Sequence, residues 1–288
     1  MEQRSSQQKC YYPPESKKSL YRLYRTKSGR IVLSCLVRPG VSKAAVRLLD
    51  SKLSRRYIPR FVRKNHINVA EAEERRYRSL NDFFIRRLKE GSREIEMEPN
   101  CLISPCDSRL SVFPIEESSV FSIKDSQYTV SSLLQGDKIE EKYRGGVCAV
   151  FRLTVSDYHR YCYFDNGTKE KNFFIPGKLH TVNPISYEQV PVYKTNSREY
   201  TLLHTENFGD VVQMEVGALL VGRIVNYHQE HRFVRGEEKG RFEFGGSTIV
   251  LLFEKGSVSF PEELYENSRK GFELMVKMGE KIGEKPIL

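Results

Sequence analysis

Along the chain the spacing of apolar positions changes as it leaves its first third. Between Lys43 and Phe61 the apolar residues are Ala45, Val46, Leu48, Leu49, Leu53, Ile58 and Phe61, with Arg and Lys between them. That spacing is close to the helical period and predicts an amphipathic helix with a basic polar face. A second helical stretch is predicted from Ala70, in which Asn81-Asp82 precedes Phe83, Phe84 and Ile85 and Gly91-Ser92 marks the stop. After Pro99 the period shortens. Apolar or alternating runs punctuated by Gly, Pro and Asn cover Gly146 to Leu153, Gln213 to Val225 and Thr248 to Phe253. The last of these reads as an interior strand. The segment from Pro261 to Met278, with Leu264, Phe272, Leu274 and Met275, predicts a closing helix. The expected fold class is therefore α+β: a mostly antiparallel β domain with N-terminal helices before it and a C-terminal helix after it. No internal repeat or low-complexity linker interrupts it.

Composition supports a folded body. At 288 residues the chain can bury a sizeable core, and 39% apolar residues with 32 Tyr and Phe favour a sheet-rich globule over a polar tail. Charge then divides it. From Met1 to Lys64 there are 17 Lys and Arg against Glu2, Glu15 and Asp50, a local excess of +14, so the remainder carries −4 of the net +10. We expect a basic helical arm over residues 1–69 and a second domain over 70–288. A basic arm on a mildly acidic body points to an anionic partner, a nucleic acid or a membrane surface, met by the arm alone. The helix of Lys43 to Phe61 could lie in an anionic interface or pack on its own domain. The stretches Ile31 to Val37 and Ile249 to Phe253 fall far short of the ~20 residues of a membrane span. The opening residues MEQRSSQQKC lack the apolar run of a signal peptide. Cys10, Cys35, Cys101, Cys106, Cys148 and Cys162 show neither CxxC pairs nor metal spacing with histidine, so reduced thiols are expected.

Four segments carry the candidate chemistry: Ser104-Pro105-Cys106-Asp107; Arg152-Leu153 through Asp157-Tyr158-His159-Arg160; Val216-Gly217-Ala218 through Gly222; and Phe244-Gly245-Gly246-Ser247-Thr248. Each alone reads as a turn, a cap or a hydrogen-bonding histidine. In this order they resemble the phosphatidylserine decarboxylase family of pyruvoyl enzymes. The resemblance extends to Ser79-Leu80-Asn81-Asp82-Phe83-Phe84 with Arg86-Arg87, to Gly177-Lys178-Leu179 with Val182-Asn183-Pro184, to Asn196-Ser197-Arg198-Glu199 and to Lys239-Gly240-Arg241-Phe242. It covers roughly Ala70 to Glu254 and leaves the arm outside.

The resemblance implies self-cleavage between Gly246 and Ser247, with Asp107, His159 and Ser247 as an Asp-His-Ser set. Asp107 would orient the imidazole, His159 would take the hydroxyl proton and Ser247 would be the nucleophile. The chemistry has its own logic. Removing CO₂ from an amine substrate calls for a carbonyl that can form a Schiff base and act as electron sink, and no side chain has one. Rearranging a serine supplies it: Ser247 Oγ attacks the Gly246 carbonyl, the amide becomes an ester, and β-elimination with hydrolysis leaves a pyruvoyl group. Gly before the serine keeps that carbonyl approachable. Many members of the family carry a second histidine where this chain has Cys162, so His159 stands alone in its motif. His180 is a possible helper, and a thiolate role for Cys162 is conceivable. Ser108 replaces the family's usual Gly, which a backbone with φ < 0 tolerates.

The expected product is phosphatidylethanolamine, made by two chains, 1–246 and 247–288, held together as a heterodimer. Neither metal nor pyridoxal phosphate is implied. The partners implied are phosphatidylserine and an anionic phospholipid surface, with peripheral attachment on the cytoplasmic side, homo-oligomerisation left open and nucleic acid not expected. Two other readings compete: a pyruvoyl decarboxylase of another amino-acid substrate, and a non-catalytic basic binding module.

Overall fold

The apolar run near the end of the chain forms the strand Ser247–Phe253, buried along its whole length. It pairs antiparallel with Val147–Leu153 on one side and Gly209–Gly217 on the other. Side chains alternate between the two faces of a strand. Ile249, Leu251 and Phe253 enter one core with Leu110, Phe151 and Phe242, while Val250 and Leu252 enter a second with Val130, Leu133 and Tyr143. A strand covered on both faces must be apolar at every position, so this one shows no alternation in sequence. Each fully buried aliphatic side chain here contributes roughly 1.5–3 kcal/mol.

The computed structural model describes residues 11–12, 18–123, 126–135, 138–183, 190–218, 223–245 and 247–286. Its main sheet runs, in spatial order, Tyr11–Tyr12, Glu273–Val276, Ser108–Pro114, Val147–Leu153, Ser247–Phe253, Gly209–Gly217, Arg198–Thr205, Gly167–Lys169 and His231–Phe233, with Phe173–Ile175 also on Arg198–Thr205. All of its pairings are antiparallel. A small sheet of Ile224–Asn226, Glu238–Phe242 and Arg160–Cys162 contributes Tyr161, Cys162 and Phe242 to the first core. The α+β, mostly antiparallel expectation holds. The predicted run Gln213 to Val225 divides into the ends of Gly209–Gly217 and Ile224–Asn226, with residues 219–222 outside the described part.

Between the edge strand Tyr11–Tyr12 and the rest of the sheet come α1 (Lys18–Arg25), α2 (Lys27–Leu36), α3 (Pro39–Asp50), α4 (Ile58–Asn65) and the short α5 (Leu80–Phe84). The helix expected over Lys43 to Phe61 is broken. Ser51 is extended, and its hydroxyl donates to the Leu48 carbonyl at 2.6 Å, a local bond that competes with helix continuation. A 3₁₀ segment follows over Lys52–Tyr57, and Pro59 begins α4, where its missing N–H is no loss. The helix expected from Ala70 shrinks to α5. The Ser79 hydroxyl caps it by accepting from the Asp82 N–H at 3.0 Å. Asp82 in turn accepts from Arg75 Nη2 at 2.7 Å and the Arg78 N–H at 2.8 Å, which folds the preceding residues into a loop. The closing helix also stops early, at Glu262–Arg269, because Gly271 turns the chain at φ 81°. Beyond it Leu274 and Val276 point inward while Met275 stays exposed, the alternation of the edge strand Glu273–Val276.

The sheet encloses charge as well as apolar surface. Lys239 and Glu215 are both fully buried and paired at 2.8 Å, and the Lys239 ammonium also donates to Asn226 Oδ1 at 2.7 Å. Gln213 Nε2 and Asn226 Nδ2 donate to the Glu215 carboxylate at 2.9 and 3.1 Å. Removing one partner of such a pair strands the other charge in the interior. Lys239→Met is therefore expected to lower stability by about 3–5 kcal/mol. Urea unfolding checks this, and a loss below about 1 kcal/mol would show that the pair does not hold the two sheets.

Candidate active site

Strand pairing fixes Ser247. Its cross-strand neighbours are Leu153 and Gly217, and its hydroxyl is buried without a hydrogen-bond partner among the described residues. The chain leaving Leu153 turns at once. The Asp157 carboxylate accepts from the Thr154 N–H at 2.6 Å, and the Asp157 N–H donates to the Thr154 carbonyl at 3.1 Å. This closed turn delivers His159, fully buried, back toward the start of the Ser247 strand. The His159 carbonyl accepts from the Phe242 N–H at 2.8 Å, tying it to the strand that leads into Phe244-Gly245. Gly245 has φ 139°, a conformation that favours glycine, and its backbone lies against the imidazole. Gly246 itself lies outside the described residues.

The imidazole is held from three sides. Nδ1 lies 2.9 Å from the Asp157 carbonyl; a carbonyl only accepts, so Nδ1 carries the proton and Nε2 keeps its lone pair. The Phe84 ring packs on the imidazole at 4.1 Å between centroids, and the Phe244 ring follows Phe84 at 4.8 Å. Nε2 has no well-aligned hydrogen-bond partner among the described residues. Burial lowers the His159 pKa to about 3. The Asp157 and Gly245 backbones work against that shift, and the Arg86 cation adds to it. At neutral pH the site therefore holds a neutral imidazole with a free lone pair beside the Gly245-to-Ser247 link, and a buried hydroxyl without a partner.

Asp107 does not complete this arrangement as expected. Arg93 Nε donates to its Oδ1 at 2.8 Å, Arg93 Nη2 to its Oδ2 at 2.5 Å, and the Met278 N–H to Oδ1 at 2.9 Å. A bidentate guanidinium is a stronger partner for a carboxylate than a neutral imidazole. The Asp157 main chain takes over the orienting hydrogen bond. Ser108 beside Asp107 has no positive φ, so the departure from Gly is tolerated.

The two accessory candidates lie in other surroundings. Cys162 is buried in the first core and its thiol is pushed up to about 12 by burial, so it is a neutral packing group and no thiolate. Among the described residues no hydrogen bond or ring contact joins His180 to His159. Its Nδ1 accepts from the Tyr24 hydroxyl at 3.4 Å, and burial keeps its pKa low. Its main chain does border the site. Asn196 Oδ1 accepts from the His180 N–H at 3.0 Å, while Asn196 Nδ2 lies 2.8 Å from both the His180 and the Gly217 carbonyls. The block around Asn196 thus stitches the His180 loop to the residue opposite Ser247. Sequence reasoning gave no role to Asp157, Phe84, Arg86 or Asn196. All four sit in segments that carry the resemblance, which was the available signal, but Asp157 acts through its carbonyl, which no residue type reveals.

Helices of the arm reach the same place. Asn81 donates to Asp50 Oδ1 at 2.8 Å and accepts from the Phe244 N–H at 3.0 Å, bridging α3 and the Gly245 loop. A groove of about 480 Å³ runs between α3, α4 and α5, lined by Leu48, Leu49, Leu53, Tyr57, Phe61 and Leu80, together with Arg56, Arg60 and Lys64. Its inner wall, Phe61, touches Phe244 at 5.8 Å and Phe83 at 6.3 Å between centroids. Among the described residues no helix is long and apolar enough to cross a membrane. The one group of metal-ligand types found among them is His228, His231 and Glu237. There the two imidazoles stack face to face, 3.8 Å between centroids at 14°, and His231 Nε2 lies 2.8 Å from Glu237 Oε1.

Comparison with known proteins gives this geometry a context. The family model for phosphatidylserine decarboxylase matches residues 80–284. The "Phosphatidylserine decarboxylase proenzyme 2" of Clostridium acetobutylicum is 45% identical over 276 residues, which is 95% of this chain and 94% of that protein. The phosphatidylserine decarboxylase proenzyme of Clostridium tetani is 42% identical over 241 residues, covering 82% of this chain and 81% of its own. That of Clostridium novyi is 41% identical over 249 residues, covering 85% and 84%.

The buried imidazole sets a pH dependence. With a folded pKa of about 3 against about 6.5 when unfolded, the unfolded chain binds a proton that the folded one refuses, so stability falls as pH drops from 6.5 toward 3. Asp157 acts oppositely: burial pushes its carboxyl up to about 6, so its contribution falls as pH rises from about 3.8 to 6. The substitution His159→Gln removes the first effect and keeps the second. Measured by urea unfolding in a Ser247→Ala background, the chain that keeps His159 should lose stability relative to the His159→Gln chain between about pH 7 and pH 4. Parallel curves would mean that the imidazole is solvated.

Proposed function

The chain belongs to the phosphatidylserine decarboxylase family, and on that footing we propose that it cuts itself between Gly246 and Ser247 and then converts phosphatidylserine to phosphatidylethanolamine and CO₂. The carrying observation is that a buried Ser247 hydroxyl and the Nε2 of a neutral His159, each without a hydrogen-bond partner among the described residues, lie on either side of Gly245, at the start of an interior strand.

In maturation, His159 Nε2 accepts the proton of Ser247 as the oxygen attacks the Gly246 carbonyl. The amide C–N bond gives way to an ester at Oγ. Elimination across Cα–Cβ of residue 247 then releases Gly246 as a carboxylate, and hydrolysis of the resulting enamine frees ammonia and leaves a pyruvoyl group. The Asp157 carbonyl holds the tautomer that makes Nε2 the base. Asp107 serves as a positioning residue, anchoring Arg93 and the Met278 main chain. The fit of residue 247 to a pyruvoyl group rests on its orphaned, buried hydroxyl. Once formed, that group supplies the electrophilic carbonyl and electron sink that the twenty side chains lack. His159 then holds the proton that is returned to the substrate carbon. The 247–288 chain stays in place through its ladders with Val147–Leu153 and Gly209–Gly217.

The arm, residues 1–69, is read as the membrane-docking part. Its support is an excess of cations together with exposed apolar residues, including Ile31 at 71%, Leu48 at 69% and Leu53 at 65% exposure. These are the two attractions of an interfacial helix, and the groove ending at Phe61 offers acyl chains an apolar route to Phe244. Attachment is peripheral. The free thiols of Cys35, Cys101, Cys106, Cys148 and Cys162 suit the cytoplasmic side of the membrane.

Two measurements test this. Intact mass spectrometry of purified protein should show chains 1–246 and 247–288, the second lacking a free amino terminus, and Ser247→Ala should give one uncut chain. A Ser247→Ala protein cut at the same bond would overturn the mechanism. In sedimentation with anionic vesicles, Arg56→Glu/Arg60→Glu/Lys64→Glu should bind at least about fiftyfold more weakly, since each cation near the surface is worth about 1 kcal/mol. Unchanged sedimentation would remove the arm from the docking surface.

A further inference from the structure

One buried cation near His159 has no use in the chemistry above. Arg86 is 4% exposed, and its Nε and Nη1 are buried with no hydrogen-bond partner among the described residues. The other wholly buried arginines are satisfied, whereas half-buried Arg109 and Arg241 each leave one nitrogen without a partner among the described residues. Arg198 donates to the carbonyls of Ser132, Leu133, Lys194 and Asn196, Arg152 pairs with Glu273 at 2.5 Å, Arg160 with Glu238 at 2.5 Å and Arg235 with Asp165 at 3.1 Å. What Arg86 meets instead is the face of Phe83, 5.2 Å from its guanidinium carbon. The nearby carboxylate that could serve it, Asp107, is already held by Arg93. A buried charge without a counter-ion is costly and is retained where something else completes it.

Its location is set by the main chain. Arg160, the residue after His159, donates to the Ile85 carbonyl at 2.8 Å and the Arg86 carbonyl at 3.2 Å. Phe84, two residues earlier, packs on the imidazole, and the Arg86 charge is felt there. Asn81, on the same short helix, holds Phe244. The guanidinium thus lies beside buried His159, on the side where Phe83 meets Phe61 of the apolar groove. Resting on the function proposed above, we propose that Arg86 is the anion subsite of the substrate head group, receiving its carboxylate or its phosphodiester while the amine faces residue 247. An anion settled there also cancels part of the field that keeps His159 unprotonated. That eases the change from base in maturation to acid in turnover.

The test compares wild type, Arg86→Gln and Arg86→Lys, after a gel has established that each is cleaved. On phosphatidylserine in mixed micelles, Arg86→Gln should raise KM roughly tenfold or more, as expected for loss of a charge-assisted hydrogen bond, with a smaller change in kcat, and Arg86→Lys should recover part of it. Two soluble probes separate the sources of the anion: glycerophosphoethanolamine has the phosphodiester without the carboxylate, and L-serine has the carboxylate without the phosphodiester. The probe whose inhibition is lost in Arg86→Gln names the group bound. An Arg86→Gln enzyme that matures with KM and both inhibitions unchanged overturns the subsite. So does failure of both variants to cleave with unaltered melting, which would assign Arg86 to maturation. A wild type that matures but releases no CO₂ from phosphatidylserine overturns instead the function on which the subsite rests.

Discussion

Burial of the strand Ser247–Phe253 on both faces is the constraint from which the rest of the molecule follows. Because Val147–Leu153 and Gly209–Gly217 flank it and two cores clamp it, its first residue has no freedom of position. A nucleophile at the end of such a strand is as fixed as the sheet itself. The loops that carry reactive groups need only be correct relative to this one rigid edge. The same burial would keep the short second chain in place after cleavage, since its ladders and apolar contacts do not involve the broken bond.

The second constraint is dielectric. Enclosing His159 makes its charged form unfavourable, so the residue that would be half-protonated near neutrality in water stays a base. In many triads a carboxylate steadies the imidazole. Here the Asp157 carbonyl fixes the tautomer, and the carboxylate of Asp107 has been drawn into a guanidinium pair. A neutral hydrogen-bond acceptor orients the ring without favouring its protonated form as strongly as a charge would. Position 162, where the resemblance led to the expectation of a second histidine, faces the apolar core.

The arm is joined to this centre by specific contacts. Tyr24 of α1 accepts from the Thr181 N–H at 3.0 Å, and the Leu179 N–H donates to the Val37 carbonyl at 3.1 Å. Asn81 spans Asp50 and Phe244. Loops bordering Ser247 are therefore braced by the same helices that expose cations and apolar side chains to solvent. On the proposed reading, contact with a lipid surface and the geometry of the site would share parts.

Much of this was written locally. The apolar run after Ser247, the runs around Val150 and Met214, and the basic arm are properties of neighbouring residues, and the order Asp107, His159, Gly246-Ser247 with its surrounding blocks was enough to suggest the family and its chemistry. Helix lengths were not legible, because Ser51, Asp82 and Gly271 end or prevent helices through particular hydrogen bonds and one positive φ that apolar periodicity does not encode. Nor was the partner of His159. Asp157 acts through a carbonyl that every residue owns, and Asp107 was diverted by Arg93, fourteen residues before it, and by Met278, at the far end of the chain. Sequence determines which groups are available; the folded chain decides which of them meet, because hydrogen bonds between distant segments depend on where the sheet sets them down.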